Sequence, residues 1–269
     1  MFEWDAIAEY YDLVFDQTDD VVFWQKLTQQ LGSPVLELSC GNGRLTFPIA
    51  ETGVAIVGID IAKDMLKVGA KKLKKLSKVA QRRVTLVHAD EISFNLHKKF
   101  QTIICPSHFW PITEKEQVMF FESMTRHLSP EGYLVIDLNN VLEPTGDWDI
   151  HKIKTFKQLP KLGFTLVRET FVHGNAKTKI AKIIHFLDRV YPNGTIKRIV
   201  TERTERHYTQ RDMMALLSKH GFNTVRTYGD YQFGPWSEVS RRNILIAKRN
   251  SALSIWERLR TALSSKLEI

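Results

Sequence analysis

Residues 35–60, VLELSCGNGRLTFPIAETGVAIVGID, constrain the fold more than any other stretch of the chain. The apolar run Val35–Leu38 leads to Gly41 and Gly43, and a second apolar run ends on Asp60. Glycines allow a turn to adopt backbone angles closed to other residues, and they let a ligand approach the main chain. A strand, a glycine turn, a helix and a second strand that ends in an acid are typical of half of a nucleotide-binding βαβ unit.

Two positions depart from the dinucleotide-binding pattern. In G-x-G-x-x-G counted from Gly41, the third glycine is replaced by Thr46, so a pyrophosphate site is less well supported. Glu37 lies inside the first predicted strand, where a buried carboxylate requires partners.

Both departures fit another family. The pattern E-x-S-x-G-x-G followed by Arg44, with Asp60 at the end of the next strand, resembles motif I and its sequel in class I methyltransferases that depend on S-adenosylmethionine (SAM). The family usually has glycine where this chain has the small residue Ser39. The alternative interpretation is a glycine-rich turn in some other α/β domain.

The resemblance implies SAM as the cofactor and assigns contacts to it. Asp60 corresponds to the acid that accepts hydrogen bonds from the ribose hydroxyls, and Asp90 to the acid that binds the adenine amino group. Met65 matches a position that packs on adenine, although core packing explains it equally well. The full predicted set of cofactor contacts is Glu37, Ser39, Gly41, Gly43, Arg44, Asp60, Ile61, Met65, Asp90, Glu91 and Ser107. Within this set, Glu37 is expected to hold the loop or the methionine amino group, and Arg44 to pair with Asp12 or the SAM carboxylate.

Two residues are candidates for catalysis. A-x-Y-Y-D at residues 8–12 resembles the N-terminal lid of small-molecule methyltransferases, with Tyr11 as the closing residue, Tyr10 as the alternative, and helix packing as the competing explanation. His108 follows the fourth predicted strand at the carboxyl edge of the sheet, where open α/β sheets bind ligands. We predict that His108 acts as a base or contacts the substrate; the competing interpretation is a loop histidine bonded to backbone. Phe109 and Trp110 would wall the substrate pocket.

The chain is predicted to form an α/β fold: a Rossmann-like, seven-stranded methyltransferase sheet with helices on both faces, plus an inserted antiparallel β subdomain. We expect a helical lid over residues 1–32, a SAM-binding domain over 33–140 and 209–249, the insertion over 141–208, and an amphipathic helix within 250–269. The insertion is predicted to contain three strands and resembles that of sugar amine and glycine-type N-methyltransferases, where it covers the substrate or builds a dimer. The C-terminal helix would lie on a membrane, dock a partner or pack on its own domain.

Composition limits the remaining possibilities. The chain has 269 residues and a net charge of +8, much of it in a lysine-rich stretch over 63–83 that we interpret as a solvated helix face rather than a nucleic-acid site. The two cysteines, Cys40 and Cys105, make neither a disulfide framework nor a metal site, and no metal is expected. The N-terminus lacks a signal peptide's pattern and no apolar run approaches a membrane span, so we expect a cytoplasmic protein.

The sequence therefore predicts an enzyme that transfers a methyl group from SAM to a nitrogen or oxygen atom of a small molecule. The alternatives are an RNA methyltransferase that uses the basic surface, a nicotinamide enzyme, and a non-catalytic SAM-fold protein that binds a partner. A homodimer through the insertion is compatible with the pattern. The sequence names neither the acceptor nor the oligomeric state.

Overall fold

The computed structural model describes residues 3–15, 18–140 and 146–250. These residues form two β-sheets and eight α-helices. The strands are β1 (Val35–Leu38), β2 (Ile56–Asp60), β3 (Val84–His88), β4 (Phe100–Cys105), β5 (Leu128–Asn139), β6 (Trp148–Leu159), β7 (Phe164–Asn175), β8 (Ile180–Val190), β9 (Ile196–Arg206), β10 (Phe222–Tyr228) and β11 (Arg242–Arg249). The helices are α1 (Glu3–Ile7), α2 (Tyr11–Val14), α3 (Val21–Leu31), α4 (Thr46–Glu51), α5 (Lys63–Leu73), α6 (Lys78–Gln81), α7 (Glu114–His127) and α8 (Gln210–Lys219), with short 3-10 turns at Ala8–Tyr10 and Pro160–Leu162.

The main sheet has seven strands in the order β10-β11-β5-β4-β1-β2-β3. Strands β1 to β5 are parallel, and β11 pairs antiparallel with both β5 and β10. Strands β2 and β3 follow β1 on one side of the sheet, whereas β4 and β5 lie on its other side, so the strand order reverses between β1 and β4. The carboxyl ends of β1 and β4 lie side by side at one edge of the sheet. This arrangement confirms the predicted α/β class and places the turn after β1 at the position where such sheets bind ligands.

Both faces of the main sheet are buried. Neighbouring residues of one strand enter opposite cores: Ile103 of β4 packs in one cluster and Ile104 in the other. Leu134 and Val135 of β5 divide in the same way. Burial on both faces explains why the central strands read as continuous apolar runs instead of alternating ones.

Strand β5 begins earlier than predicted. The sequence Ser-Pro-Glu-Gly at 129–132 predicts a turn that ends the preceding helix, with the fifth strand starting at Tyr133. Leu128 already pairs with Phe100, and the next pair joins Thr102 to Tyr133, so the intervening residues form an irregularity within the ladder. The predicted break is therefore present as a bulge and not as a separate loop.

The second sheet has four antiparallel strands in the order β6-β7-β8-β9, one more than predicted. The missed strand is β6. Its apolar residues Ile150, Ile153, Phe156 and Leu159 recur every third position, which does not indicate a strand. A register shift between Ile153 and Thr155 further disturbs the two-residue alternation, and it explains the step from Ile153 to Phe156. The domain boundaries at 141 and 208 remain predictions.

The segment before β1 is divided. Residues 3–31 were predicted to be helical; α1, a 3-10 turn and α2 cover 3–14, and α3 follows. The lysines of α5, such as Lys67 and Lys71, are exposed, as expected for a solvated face. Within the described residues, no helix is both long and apolar enough to span a bilayer. The predicted C-terminal helix over 251–267 lies outside the described residues.

Candidate functional site

A cavity of about 690 Å³ opens at the carboxyl edge of the main sheet. Its walls come from the ends of β1, β2 and β4, from the N-terminal segment, and from β9 of the second sheet. The predicted site residues that line it are Tyr11, Glu37, Ser39, Gly41, Arg44, Asp60, Ile61, Met65, Asp90, Glu91, Ser107 and His108. Gly43 is the one member of the predicted set that is not part of this wall.

Asp60 and the glycine turn are joined by hydrogen bonds. The backbone N–H of Gly41 donates to Asp60 Oδ2 at 2.7 Å, and that of Ala62 donates to Oδ1 at 2.7 Å. Gly41 has a φ of +57°, which favours glycine. Burial raises the pKa of Asp60 and these amide bonds oppose the shift. A carboxylate offers about four acceptor positions, so Asp60 retains capacity for a ligand's hydroxyls.

Gly43 serves the packing of the turn. A Cβ atom at this position would lie 2.3 Å from the ring of Phe47 in α4, and its φ is +85°. The glycine is therefore explained by the close approach of the turn to α4, while its predicted contact with the cofactor has no support in the cavity wall.

Thr46 explains both departures from the dinucleotide pattern. Its hydroxyl donates to Glu37 Oε2 at 2.5 Å, and both side chains are buried. Burial raises the pKa of Glu37 to about 7, against the opposing effects of the Thr46 bond and the Arg44 charge. The residue that replaces the third glycine thus supplies the partner that the buried acid needs.

Arg44 pairs with Asp20 and not with Asp12. Two guanidinium nitrogens of Arg44 donate to the two carboxylate oxygens of Asp20 at 2.7 and 2.8 Å. Asp12 instead accepts from Asn42 Nδ2 at 3.0 Å and pairs with Lys72. The predicted Arg44–Asp12 pair is wrong because Asp20, just before α3, is buried against the guanidinium in a bidentate geometry.

Tyr11 lines the cavity and is also packed. Its ring stacks on Phe15 at a centroid distance of 4.9 Å and meets Trp4 edge-on at 6.1 Å. Burial raises the pKa of Tyr11, and a hydrogen bond with Arg44 opposes the shift. Tyr10 faces elsewhere, because its hydroxyl accepts from Arg189 at 3.0 Å and its ring meets Phe164. Of the two tyrosines, only Tyr11 is placed to cover a ligand in this cavity.

Both ring nitrogens of His108 have protein partners. Nδ1 donates to the Pro106 carbonyl at 2.7 Å, and Nε2 lies 2.9 Å from Glu91 Oε2 and 3.4 Å from Cys105 Sγ. Burial alone would lower the pKa of His108, but Cys105 and Glu91 raise it well above its ordinary value. Both ring nitrogens are therefore engaged by protein oxygen atoms, and neither is free to accept a proton from a substrate.

Glu91 keeps one oxygen without a partner. Its Oε2 accepts from Ser39 at 2.6 Å as well as from His108, whereas the buried Oε1 has no hydrogen bond among the described residues. Trp110 Nε1 donates to the Ser39 hydroxyl at 3.3 Å and its indole stacks on His108. Because a buried carboxylate oxygen is costly to leave unpaired, Oε1 is a ready acceptor for a ligand.

Glu91, Cys105 and His108 also form a group whose donor atoms lie within 4.8 Å of one another. The hydrogen bonds among these side chains account for their closeness without an ion.

Asp90, Met65 and Ile61 lie along the β2–β3 side of the cavity. Asp90 is exposed and accepts from the Ile92 backbone at 2.9 Å. The terminal methyl of Met65 lies over the turn, since a Cβ atom on Gly41 would meet it at 2.9 Å. Met65 is buried against Ala8 and Ala62, so its packing role is observed whether or not it also contacts adenine.

The second sheet adds Glu202 and Glu205, which the sequence did not single out, and Arg203, for which the sequence allows either a contact to an anionic substrate or a surface ion pair. Glu202, Arg203 and Glu205 of β9 line the cavity opposite the glycine turn, beside Trp4 and Trp110. Arg203 donates to Glu205 at 2.7 Å, and its guanidinium lies 5.6 Å from the Trp4 ring centroid. For Glu202 and Glu205, the sequence signal was the alternation of this strand, which does not tell which of its faces meets the cavity.

Comparisons with known proteins agree with this geometry. Residues 35–132 match a family described as "Methyltransferase domain". The chain is 24% identical to YqeM of Bacillus subtilis strain 168, which is assigned to the methyltransferases, over 93% of this chain and 98% of that one. It resembles a SAM-dependent methyltransferase of Clostridium acetobutylicum (TM-score 0.71, 17% identity, covering 92% and 99% of the two chains). It also resembles the sugar N-methyltransferase KedS8 of Streptoalloteichus (TM-score 0.66, 16% identity, covering 90% and 92%).

The cavity fits SAM in size and charge. Its volume lies within the range of small-molecule sites, about 300–1,000 Å³. Six acidic side chains line it, together with two guanidinium groups and the imidazole of His108, in a chain whose net charge is +8. The acidic lining favours a cationic ligand such as a sulfonium. The exposed backbone of Gly41, the spare capacity of Asp60 and the unpaired Glu91 oxygen supply groups that a nucleoside requires.

Proposed function

We propose that this class I SAM-dependent methyltransferase moves a methyl group to a nitrogen or oxygen atom of a small-molecule acceptor, and that an amine nitrogen is the atom it methylates. When bound, SAM supplies a methyl group on a positively charged sulfur, which is already a good leaving group. The chain's own residues then have to bind, orient and exclude water.

The engagement of His108 carries the choice of nitrogen over oxygen. A hydroxyl acceptor needs a base during transfer, and both ring nitrogens of His108 are committed to Pro106 and Glu91. An amine reacts through its lone pair, and the neutral fraction present in solution, a small one for an alkylammonium with a pKa of about 10, supplies that lone pair without a strong base in the site. The site therefore suits an acceptor that requires no strong base.

The acceptor side of the cavity supports the same choice. Trp4 and Trp110 present aromatic surface there, and the same wall carries the carboxylates of Glu202, which is paired with Lys182, and of Glu205, which is paired with Arg203. Aromatic faces and carboxylates both attract ammonium groups. Such a wall would collect an amine in its cationic form, which loses its proton before it accepts the methyl group. A chain of similar fold, KedS8, is a sugar N-methyltransferase.

The remaining residues take supporting roles in this proposal. Asp60 and the Gly41 turn hold the ribose, and Asp90 binds the adenine. Glu37 lies beneath the turn and supports the end that receives the methionine moiety, together with Arg44. Tyr11 covers the cavity from the N-terminal segment and limits the access of water.

The test is transfer of a deuterated methyl group from SAM to matched acceptors, an amine and the alcohol of the same carbon skeleton, followed by mass spectrometry. We expect labelled product and S-adenosylhomocysteine with amines and little with alcohols. Label on the alcohols alone would contradict the choice of nitrogen. Label on RNA alone would contradict a small-molecule acceptor, and SAM binding without any release of S-adenosylhomocysteine would favour a partner-binding role.

We also propose that two copies associate through the second sheet. Phe156 of β6 is 70% exposed, and Ile196 and Val200 of β9 are 58% and 55% exposed, so both edge strands of this sheet carry exposed apolar side chains. Sedimentation analysis should give a dimer that Val200→Glu converts to a monomer. A wild-type monomer at high protein concentration would contradict this assembly.

A further inference from the structure

A buried polar cluster lies outside the cavity, behind the loop that follows β4. Its centre is Asp137 of β5, which is fully buried. Asp137 Oδ1 accepts from Arg242 Nε and Nη2 at 2.8 and 2.6 Å, and Oδ2 accepts from the Tyr231 hydroxyl at 3.0 Å. None of these three side chains lines the cavity.

The cluster ends on Ser107. The Ser107 backbone N–H donates to Asp137 Oδ2 at 3.1 Å, and its hydroxyl lies 3.3 Å from the same oxygen. Ser107 has a φ of +63°, in the left-handed region. For an L-residue this conformation costs enough to shift an equilibrium by about five- to thirty-fold, so the surrounding structure must hold it.

Ser107 itself lies in the wall of the cavity. Pro106, Ser107 and His108 are consecutive and all line the cavity. The direction in which the chain leaves Ser107 decides where the His108 ring meets Glu91, and hence where the unpaired Glu91 oxygen points. Hydrogen bonds from behind a binding site hold the residues that contact a ligand, and strained backbone conformations cluster at such sites.

We propose that Asp137, supported by Arg242 and Tyr231, is a positioning residue: it holds Ser107 in the left-handed conformation so that the loop after β4 meets the cofactor. The proposal rests on the SAM-binding role of this cavity, and it does not depend on which acceptor is methylated. Asp137 acts through Ser107 and touches neither cofactor nor acceptor.

The conformation of Ser107 provides a test that a merely stabilising role would fail. Glycine adopts a φ of +63° without penalty. If Asp137 acts by holding Ser107, a Ser107→Gly substitution removes most of the need for it. If Asp137 only stabilises the sheet, its loss is equally harmful in both backgrounds.

The experiment measures affinity for S-adenosylhomocysteine by isothermal titration in Asp137→Asn, Ser107→Gly and the double variant, with hydrogen exchange of the 106–110 segment. We expect Asp137→Asn to weaken binding about tenfold and to speed exchange, but to cost less than about threefold in the Ser107→Gly background. Tyr231→Phe repeats the comparison with a milder loss if Asp137→Asn does not fold. Thr28→Val, which removes a buried hydroxyl bond in α3, is the stability control.

The proposal is overturned if Asp137→Asn leaves affinity unchanged, if its effect is equal in both backgrounds, or if Thr28→Val at a matched loss of melting temperature weakens binding as much. Wild-type protein that binds no S-adenosylhomocysteine would overturn it together with the assignment of the cavity. Tight binding combined with failure to methylate any amine would overturn only the proposed acceptor.

Discussion

The buried carboxyl group of Glu37 makes the stability of this protein depend on pH in a way that one substitution can reveal. Burial beneath the glycine turn raises the pKa of Glu37 from 4.5 to about 7. Glu37→Gln keeps the shape of the side chain and an oxygen that can accept from Thr46, but it cannot ionise. The comparison of the two proteins therefore isolates the titration of one group.

The magnitude follows from linkage. Between pH 4.5 and about 7 the unfolded chain has lost the Glu37 proton while the folded chain retains it, so the free energy of unfolding falls as pH rises. A pKa difference of about 2.5 at 1.36 kcal/mol per unit amounts to about 3 kcal/mol, complete above pH 7. The variant lacks this loss, and the other titrating groups are common to both proteins.

The assay is urea unfolding of both proteins from pH 4.5 to 8. We expect the variant to gain about 3 kcal/mol relative to wild type across this range, with most of the change between pH 5 and 7. Glu51→Gln, the same change at an exposed position in α4, should show no such trend. Parallel pH curves for wild type and Glu37→Gln would refute the reasoning, since they would mean that Glu37 ionises normally in the folded state.

Three further outcomes follow from the site. Asp60→Ala should weaken S-adenosylhomocysteine binding more than tenfold, about 1.4 kcal/mol, because the acceptor for the Gly41 N–H and for a ribose hydroxyl is lost. The control Asp64→Ala, at a position on the protein surface, should leave the affinity unchanged. Equal affinities of the two variants would mean that Asp60 is not part of the site. His108→Gln should lower kcat with an amine less than tenfold, since no base is required; a loss of a hundredfold or more with a changed pH–rate profile would instead identify His108 as the base. Glu205→Gln should raise the KM of a cationic amine about threefold at unchanged kcat, and an unchanged KM would mean that this carboxylate does not attract the acceptor.

The parts of the fold that the sequence predicts well are those with local signals. The strand, turn, helix and second strand around Gly41 lie within one continuous stretch, and Asp60 ends a buried run, so their placement needed no tertiary information. The signal at the start of α8 is equally local: the sequence Thr-Gln-Arg-Asp at 209–212 predicts a helix start close to a capping box, and Thr209 accepts from the Asp212 backbone in such a box. Strand β6 was missed because its apolar residues recur every third position, whereas alternation at every second position identifies strands.

The site contacts that the sequence did not predict join distant residues. Asp137 meets Tyr231 and Arg242, which lie 94 and 105 positions further along the chain, and no spacing rule relates them. Arg44 pairs with Asp20, because Asp20, just before α3, is buried against the guanidinium group of Arg44. His108 was correctly placed at the sheet edge, but the partners that occupy its ring nitrogens depend on how the loop after β4 turns at Ser107.

The cavity beside the Gly41 turn is expected to bind SAM and its demethylated product, S-adenosylhomocysteine. Titration calorimetry of the purified wild-type protein with S-adenosylhomocysteine and with NAD measures this binding. We expect one S-adenosylhomocysteine to bind per chain, with an affinity that falls in Asp60→Ala and remains in Asp64→Ala, and no heat from NAD. Binding of NAD, or equal binding of S-adenosylhomocysteine to both variants, would contradict the account.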